Sequence, residues 1–179
     1  MSTLLSGPEH ATVAAEDFRK VRGCFATGVT VITVEHEGEV HGMTASAFTI
    51  VSLDPPLVLV CVHRQNRTNE LLRASQRFGI QILTEKQRQI SEYYALPTHA
   101  RCNAPCLKAQ FFRTKHGTPG FNGSLVYLAC HLLHTHSAGD HTLFVAQVEE
   151  IIPGLAEGEP LLYFRGRYRS IGTREEDSE

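Results

Sequence analysis

Between Gly42 and Cys61 the chain reads GMTASAFTIVSLDPPLVLVC, and few folds accept that order. Small and hydroxylated residues from Gly42 to Ala47 leave a backbone that a flat ligand can approach closely, with no bulky side chain in the way. Extended structure is expected from Val40 to Val51. Asp54-Pro55-Pro56 must then break it, because proline fixes φ and has no amide hydrogen to donate. Leu57 to Val62 is an apolar run short enough for a fully buried strand.

The flanking sequence repeats this preference for strands. Val29 to Val34 is β-branched, and Glu37-Gly38 reads as the turn of a hairpin to the Val40 segment. Phe78 to Leu83 is a further strand. Ser124 to Thr135 and Thr142 to Ile152 are joined by the short Ser137-Ala138-Gly139-Asp140 connection, and Pro160 to Phe164 and Arg167 to Ile171 close the pattern. Helical spacing is expected in three places: Ala14 to Ala26, Thr68 to Ser75 with Thr68 as cap, and Glu85 to Ala95. Leu96 to Lys108 has prolines, cysteines and no sustained period, so it reads as an irregular excursion of the kind that covers a site. Many short strands with few helices predict a mainly β fold, a closed or partly closed antiparallel barrel with a few capping helices.

The 179 residues suit one domain over residues 14–172, with a flexible N-terminus at 1–13 and an acidic tail at 173–179. Apolar residues make up 42% and charged residues 20%, an ordinary globular composition. A net charge of -2 without a Lys/Arg run offers no field for nucleic acid or an anionic membrane. No long apolar run or secretion leader is present, so a cytoplasmic protein is expected, and its five cysteines read as free thiols.

Several strings carry possible chemistry. Along a regular strand Thr44, Ser46 and Phe48 share one side, two hydroxyls beside a ring, although a plain barrel strand would look the same. Asn66-Arg67-Thr68-Asn69 opens a helix and combines free amides, a hydroxyl and a fixed charge suited to an anion, or simply caps the helix. His141 follows the tight Gly139-Asp140 turn, where an imidazole at a sheet rim can hydrogen-bond a carboxamide or phosphate. Leu161 to Tyr168 (LLYFRGRY) adds aromatic rings and guanidinium groups. Cys130, His134 and His136 share a face if their strand is regular, but ligands from one strand rarely close a metal site, and no metal is expected.

Taken in order, GMTASAFTIVSLDPPLVLVC, NRTN, AGDH and LLYFRGRY resemble the flavin reductase family, small split-barrel proteins that supply reduced flavin to partner monooxygenases. The similarity runs approximately from Phe18 to Ile171. It implies a Greek-key split β-barrel, FMN or FAD as the flavin, NADH or NADPH as hydride donor, a homodimer and a separate monooxygenase partner. By the same resemblance the flavin lies against Thr27, Gly28, Val29, Thr30, Thr44, Ala45, Ser46, Ala47, Phe48, Cys61 and Val62. Its phosphate meets Asn66, Arg67 and Thr68, with Arg165 and Tyr168 nearby, and His141 positions the nicotinamide. The chain departs from the pattern at Ala47, where a second serine is usual, and at Ala129-Cys130, where a glutamate usually precedes the cysteine. Two alternatives stay open: a split-barrel flavoenzyme that retains its flavin and acts on an organic substrate, and a flavin-binding or electron-transfer protein without turnover.

Overall fold

The computed structural model describes residues 13–101, 111–154 and 158–171. Helix α1 (Ala15–Arg22) precedes β1 (Thr27–Gly28), β2 (Thr30–His36) and β3 (Glu39–Ala45). Strands β4 (Phe48–Leu53) and β5 (Pro56–His63) come next, then α2 (Arg67–Ser75) and β6 (Arg77–Ile82). A 3-10 turn at Glu85–Gln87 leads into α3 (Arg88–Ala95), and another at Thr98–Ala100 follows it. The remaining strands are β7 (Phe111–Arg113), β8 (Pro119–Phe121), β9 (Val126–Ala138), β10 (His141–Pro153), β11 (Leu162–Phe164) and β12 (Arg167–Arg169).

Seven strands pair antiparallel in the order β3-β2-β6-β9-β10-β5-β4, beside a β1-β11-β12 sheet and a β7-β8 pair. The mainly β architecture is therefore as the sequence indicates. A closed ring of strands is not what the pairing gives: β3 and β4 are the outer strands of the seven, joined in sequence by Ser46 and Ala47 alone.

Strand β2 explains why its sequence lacks alternation. Ile32 and Val34 enter one core with Val60, Val62, Phe78, Ile80 and Phe144, under Leu71 and Leu72 of α2. Val31 points the other way, into a second core with Leu83, Tyr94, Phe121 and Leu161. A strand buried on both faces carries apolar residues on both, and its buried Thr30 and Thr33 hydroxyls are satisfied by the Ala45 and Pro119 carbonyls. Each fully buried Ile, Leu or Phe contributes roughly 1.5–3 kcal/mol, so the paired cores hold both faces of this strand.

Several expectations shift. The first helix ends at Arg22 rather than Ala26, and Phe18, Val21 and Phe25 are 65%, 64% and 77% exposed, so its apolar stripe has no partner within the described residues. The Val40 to Val51 segment is two strands, because the chain bends at Ser46-Ala47 to cross from one sheet edge to the other. Asn66, not Thr68, caps α2; its side chain accepts the Thr68 amide at 2.9 Å. Glu85 to Ala95 divides into the 3-10 turn and α3. The β7-β8 hairpin was not expected from sequence. Within β9 a register irregularity at Leu133 reverses the inside-outside alternation. Cys130 is therefore fully buried while His134 and His136 stand exposed, and the three do not share a face. Among the described residues no cluster of three or more His, Cys, Asp or Glu could hold a metal, and no helix is long and apolar enough to cross a membrane. Cys102, Cys106 and the 173–179 tail lie outside the described residues, as do residues 1–12 of the expected flexible N-terminus.

Candidate functional site

The free edge of β3 opens into a cavity of about 870 Å³. Which backbone groups face it follows from the pairing. Val29 accepts from the Leu83 amide at 3.0 Å, so the strand at that residue points toward β6. Groups along a strand alternate direction, so Thr30 and Ile32 pair toward Ala45 and Met43, and Thr44 and Gly42 turn their N–H and C=O outward. The Gly42 carbonyl agrees, accepting Arg101 Nη2 at 2.8 Å from the open side. Gly42 and Thr44 thus present amides to the cavity as a strand edge presents them to another strand.

Side chains of β3 split between two walls. Gly42 and Thr44 face α3: the Thr44 hydroxyl donates to the Ser91 carbonyl at 2.6 Å, and Gly42 leaves room for the Tyr94 ring. Met43 faces α2, where its Sδ accepts Asn66 Nδ2 at 3.0 Å. His41 shares that face of the strand and is nine-tenths buried. The α2 end contributes Asn66, Arg67 and Thr68 to the lining. Asn69, one turn in, donates to the Val62 carbonyl at 3.1 Å and ties this end of the helix to β5.

The α3 wall is pinned by Arg101. Its guanidinium donates to the carbonyls of Leu96, Gly42 and Tyr94 at 3.0, 2.8 and 3.3 Å, and lies 5.5 and 5.2 Å from the Tyr93 and Tyr94 ring centres. Burial lowers its pKa, yet an arginine keeps its charge. Burial also pushes the Tyr94 phenol up to about 12, so it remains a neutral wall. Tyr168 closes the far side, its hydroxyl 2.9 Å from that of Ser91 and its ring under the Arg88 guanidinium at 5.3 Å. Burial first, then the Arg67 charge, lowers the pKa of His41. The result is a half-apolar bay with donor amides on its floor and cationic groups at one end.

Of the residues singled out in the sequence, Val29, Thr44, Ser46, Asn66, Arg67, Thr68 and Tyr168 line this cavity. The others do not line it. Thr27 and Gly28 pair with Tyr163 and Leu162. The Thr30 hydroxyl donates to the Ala45 carbonyl at 2.8 Å, which holds Ala45 in place. Ala47 accepts the Cys61 amide at 3.1 Å, Phe48 packs on the main core, and Val62 lies within that core. Arg165 occupies the β11-β12 turn at φ 48°, with its guanidinium over Phe164 at 5.2 Å.

His141 begins β10 outside the lining, paired with His63 at the end of β5. Its Nδ1 is 2.6 Å from the Asp140 carboxylate, and its ring meets that of His63 edge to face at 5.2 Å. The Arg64 amide donates to the Asp140 carbonyl at 3.0 Å, so the turn is tied to the loop that runs into Asn66. His41, Gly42, Ser91, Tyr94, Arg101 and Tyr163 also line the cavity and were not singled out. Gly42 stood inside the conspicuous string. His41 directly precedes that string and Tyr163 stood inside LLYFRGRY, whereas Ser91, Tyr94 and Arg101 are brought in by contacts distant in sequence.

Residues 22–172 match the family model described as "Flavin reductase like domain". The chain belongs to that family. Among curated members of the flavin reductase-like family, it is 41% identical to an NADH-dependent flavin reductase of a Rhodococcus species over 156 residues, covering 86% of this chain and 84% of that one. Among solved structures, flavin reductase PheA2 in its native state superposes with a TM-score of 0.81 at 37% identity, covering 90% of this chain and 100% of PheA2. Another, the Streptomyces globisporus C-1027 NADH:FAD oxidoreductase SgcE6 in complex with NAD and FAD fragments, gives 0.77 at 30% identity, covering 94% and 99%.

Proposed function

We propose that this protein is an NAD(P)H-dependent flavin reductase that reduces FMN or FAD and releases it to a separate monooxygenase. The observation that carries the reading is the β3 edge: amides of Gly42 and Thr44 facing a cavity walled by Tyr94 and Tyr168 suit a flat heterocycle with carbonyl and ring-nitrogen acceptors along one side. Relatives of similar length support it, since one is named an NADH-dependent flavin reductase and another the reductase subunit of a flavin-dependent monooxygenase.

When bound, flavin would supply the chemistry itself, accepting hydride from the reduced nicotinamide. The protein's part is to bind, orient and hold charge. Outward amides on β3 stabilise negative charge on the heterocycle, as fixed backbone donors do without reorganising. Asn66, Arg67 and Thr68 hold the phosphate at the start of α2. His141, fixed by Asp140, orients the nicotinamide at the rim.

The split-barrel form belongs to the same proposal. Three Cα steps from Ala45 to Phe48 span at most about 11 Å, whereas six strand spacings in a flat sheet would separate its outer strands by about 29 Å. Curling until β3 and β4 approach each other satisfies both. Exposed Phe18 and Val21 on α1, with Phe25 just after it, support a homodimer, and we place the enzyme in the cytoplasm with its nicotinamide donor.

Anaerobic mixing of catalytic amounts of protein with free flavin and NADH or NADPH tests the reading by flavin bleaching. Many turnovers of free flavin are expected. Reduction limited to one bound equivalent would favour an enzyme that retains its flavin, and no reduction with either donor would leave a carrier.

A further inference from the structure

We propose that His41 is a further phosphate-binding residue of this cavity, gripping the phosphate of a phosphorylated flavin together with Arg67. The inference rests on the flavin reductase reading and adds a residue to it. His41 has a relative exposure of 9% and lines the cavity on the same side of β3 as Met43, which Asn66 touches. No described residue makes a hydrogen bond to its ring. Its nearest carboxylate is that of Glu39, 3.9 Å from Nε2 and largely in water. As a lining residue, its imidazole can give a hydrogen bond to, or take one from, a ligand that completes the site. What can complete it is set by its surroundings.

Among the described residues, the charged and titratable groups acting on His41 are Arg67 from α2, Arg101 after the second 3-10 turn, His36 from β2 and Glu39 from its own strand. Arginines outnumber the single exposed carboxylate, so an anion is favoured over a cation. Arg101 is engaged by three carbonyls and stacked on two rings, while Arg67 stands in the first turn of α2 beside the capping Asn66. Donors from Arg67, the helix end and an imidazole match the three acceptor oxygens of a phosphate monoester.

The pairing also predicts a proton coupling. In the free protein burial and the Arg67 charge favour neutral His41. A phosphate placed beside it favours the imidazolium, so binding takes up a proton from solvent and gains a charge-assisted hydrogen bond. The sequence offered no sign of this, since a histidine before Gly42 is unremarkable until the strand edge faces α2.

The test compares FMN with riboflavin, which lacks only the phosphate, in binding titrations of wild type and His41→Gln. About a tenfold loss of FMN affinity with riboflavin affinity unchanged is expected. Equal losses for both flavins, or none for either, overturn the assignment. A raised KM for NADH with unchanged FMN affinity also overturns it, because the phosphate met by His41 would then be the nicotinamide nucleotide's. If the variant fails to fold, the wild type still decides. Between pH 8 and 7 the FMN phosphate stays mostly dianionic, so the ratio of FMN to riboflavin affinity should rise several-fold as pH falls; a flat ratio refutes the coupling. Reduction of FMN or FAD by wild type with NADH or NADPH is read separately. Its failure removes the reductase reading, while a normal rate with an unmoved affinity ratio removes His41 alone.

Discussion

Adding one methyl group at Gly42 should damage both stability and flavin binding. A Cβ there would lie 2.5 and 2.6 Å from Tyr94 Cε1 and Cδ1, about 1 Å inside the ~3.5 Å separation of relaxed carbon contacts. The ring has little room to withdraw. Tyr94 is 6% exposed, stacked parallel on Phe121 at 6.3 Å, edge-on to Tyr93 at 5.1 Å and covered by Arg101. Overpacking of this kind costs about 1–3 kcal/mol, and at this chain length each kcal/mol lowers Tm by about 2–4 °C. Gly42→Ala should therefore melt roughly 2–12 °C lower in a thermal scan. Flavin affinity should fall with it, because a displaced Tyr94 disturbs the Arg101 contact with the Gly42 carbonyl. Combining Gly42→Ala with Tyr94→Val separates the cause. With the ring gone the methyl group fits, so the double variant should lose less than the sum of the two, by about 0.5–3 kcal/mol. Unchanged Tm and flavin affinity in Gly42→Ala, or strictly additive losses, would refute the steric argument.

Arg101→Lys should weaken flavin binding nearly as much as Arg101→Ala, because a lysine cannot span three carbonyls while lying over two rings; full retention by the lysine variant in a binding titration contradicts this. Asp140→Asn should raise KM for NADH several-fold and leave flavin affinity alone, and equal changes in both would remove the proposed role of His141. The hydrogen bond from His141 holds the Asp140 carboxyl below its usual 3.8. A depressed carboxylate pKa adds stability above the unfolded value and loses it as pH falls through the folded one, so this contact persists at neutral pH and fades only below about pH 4. Cys24 is exposed, whereas burial pushes Cys130 up to about 12. Alkylation of the native protein followed by peptide mapping should label Cys24, and should label Cys130 only after unfolding.

Local pattern carried the elements and failed where a strand's surroundings mattered. The apolar stripe of α1 was legible from spacing, but not that Phe18, Val21 and Phe25 would face away from the chain's own core. Regular alternation put Cys130, His134 and His136 on one face, and the irregularity at Leu133 separated them; nothing in HLLHTH marks it. Val40 to Val51 has the composition of one long strand. Its bend at Ser46-Ala47 follows from pairing, because β3 joins β2 while β4 joins β5 at the other side of the sheet.

For the candidate site the division is similar but more instructive. Thr44, Ser46, Asn66, Arg67 and Thr68 come from continuous strings and do meet at one cavity. Ser91, Tyr94 and Arg101 come from a helix and an excursion whose sequences carry no motif, and they reach β3 across 47, 52 and 59 residues respectively. The small residues also acquire their reason only in three dimensions. In a central strand, Gly42 and its small neighbours would weaken packing on both faces. At the outer strand, Gly42 admits the Tyr94 ring on one side of the backbone, while the open edge beside it keeps amides free to donate. An unpaired edge is ordinarily a liability that proteins cover. Here α3 and Arg101 cover part of it and leave a bay, so the ligand stands where a neighbouring strand otherwise would.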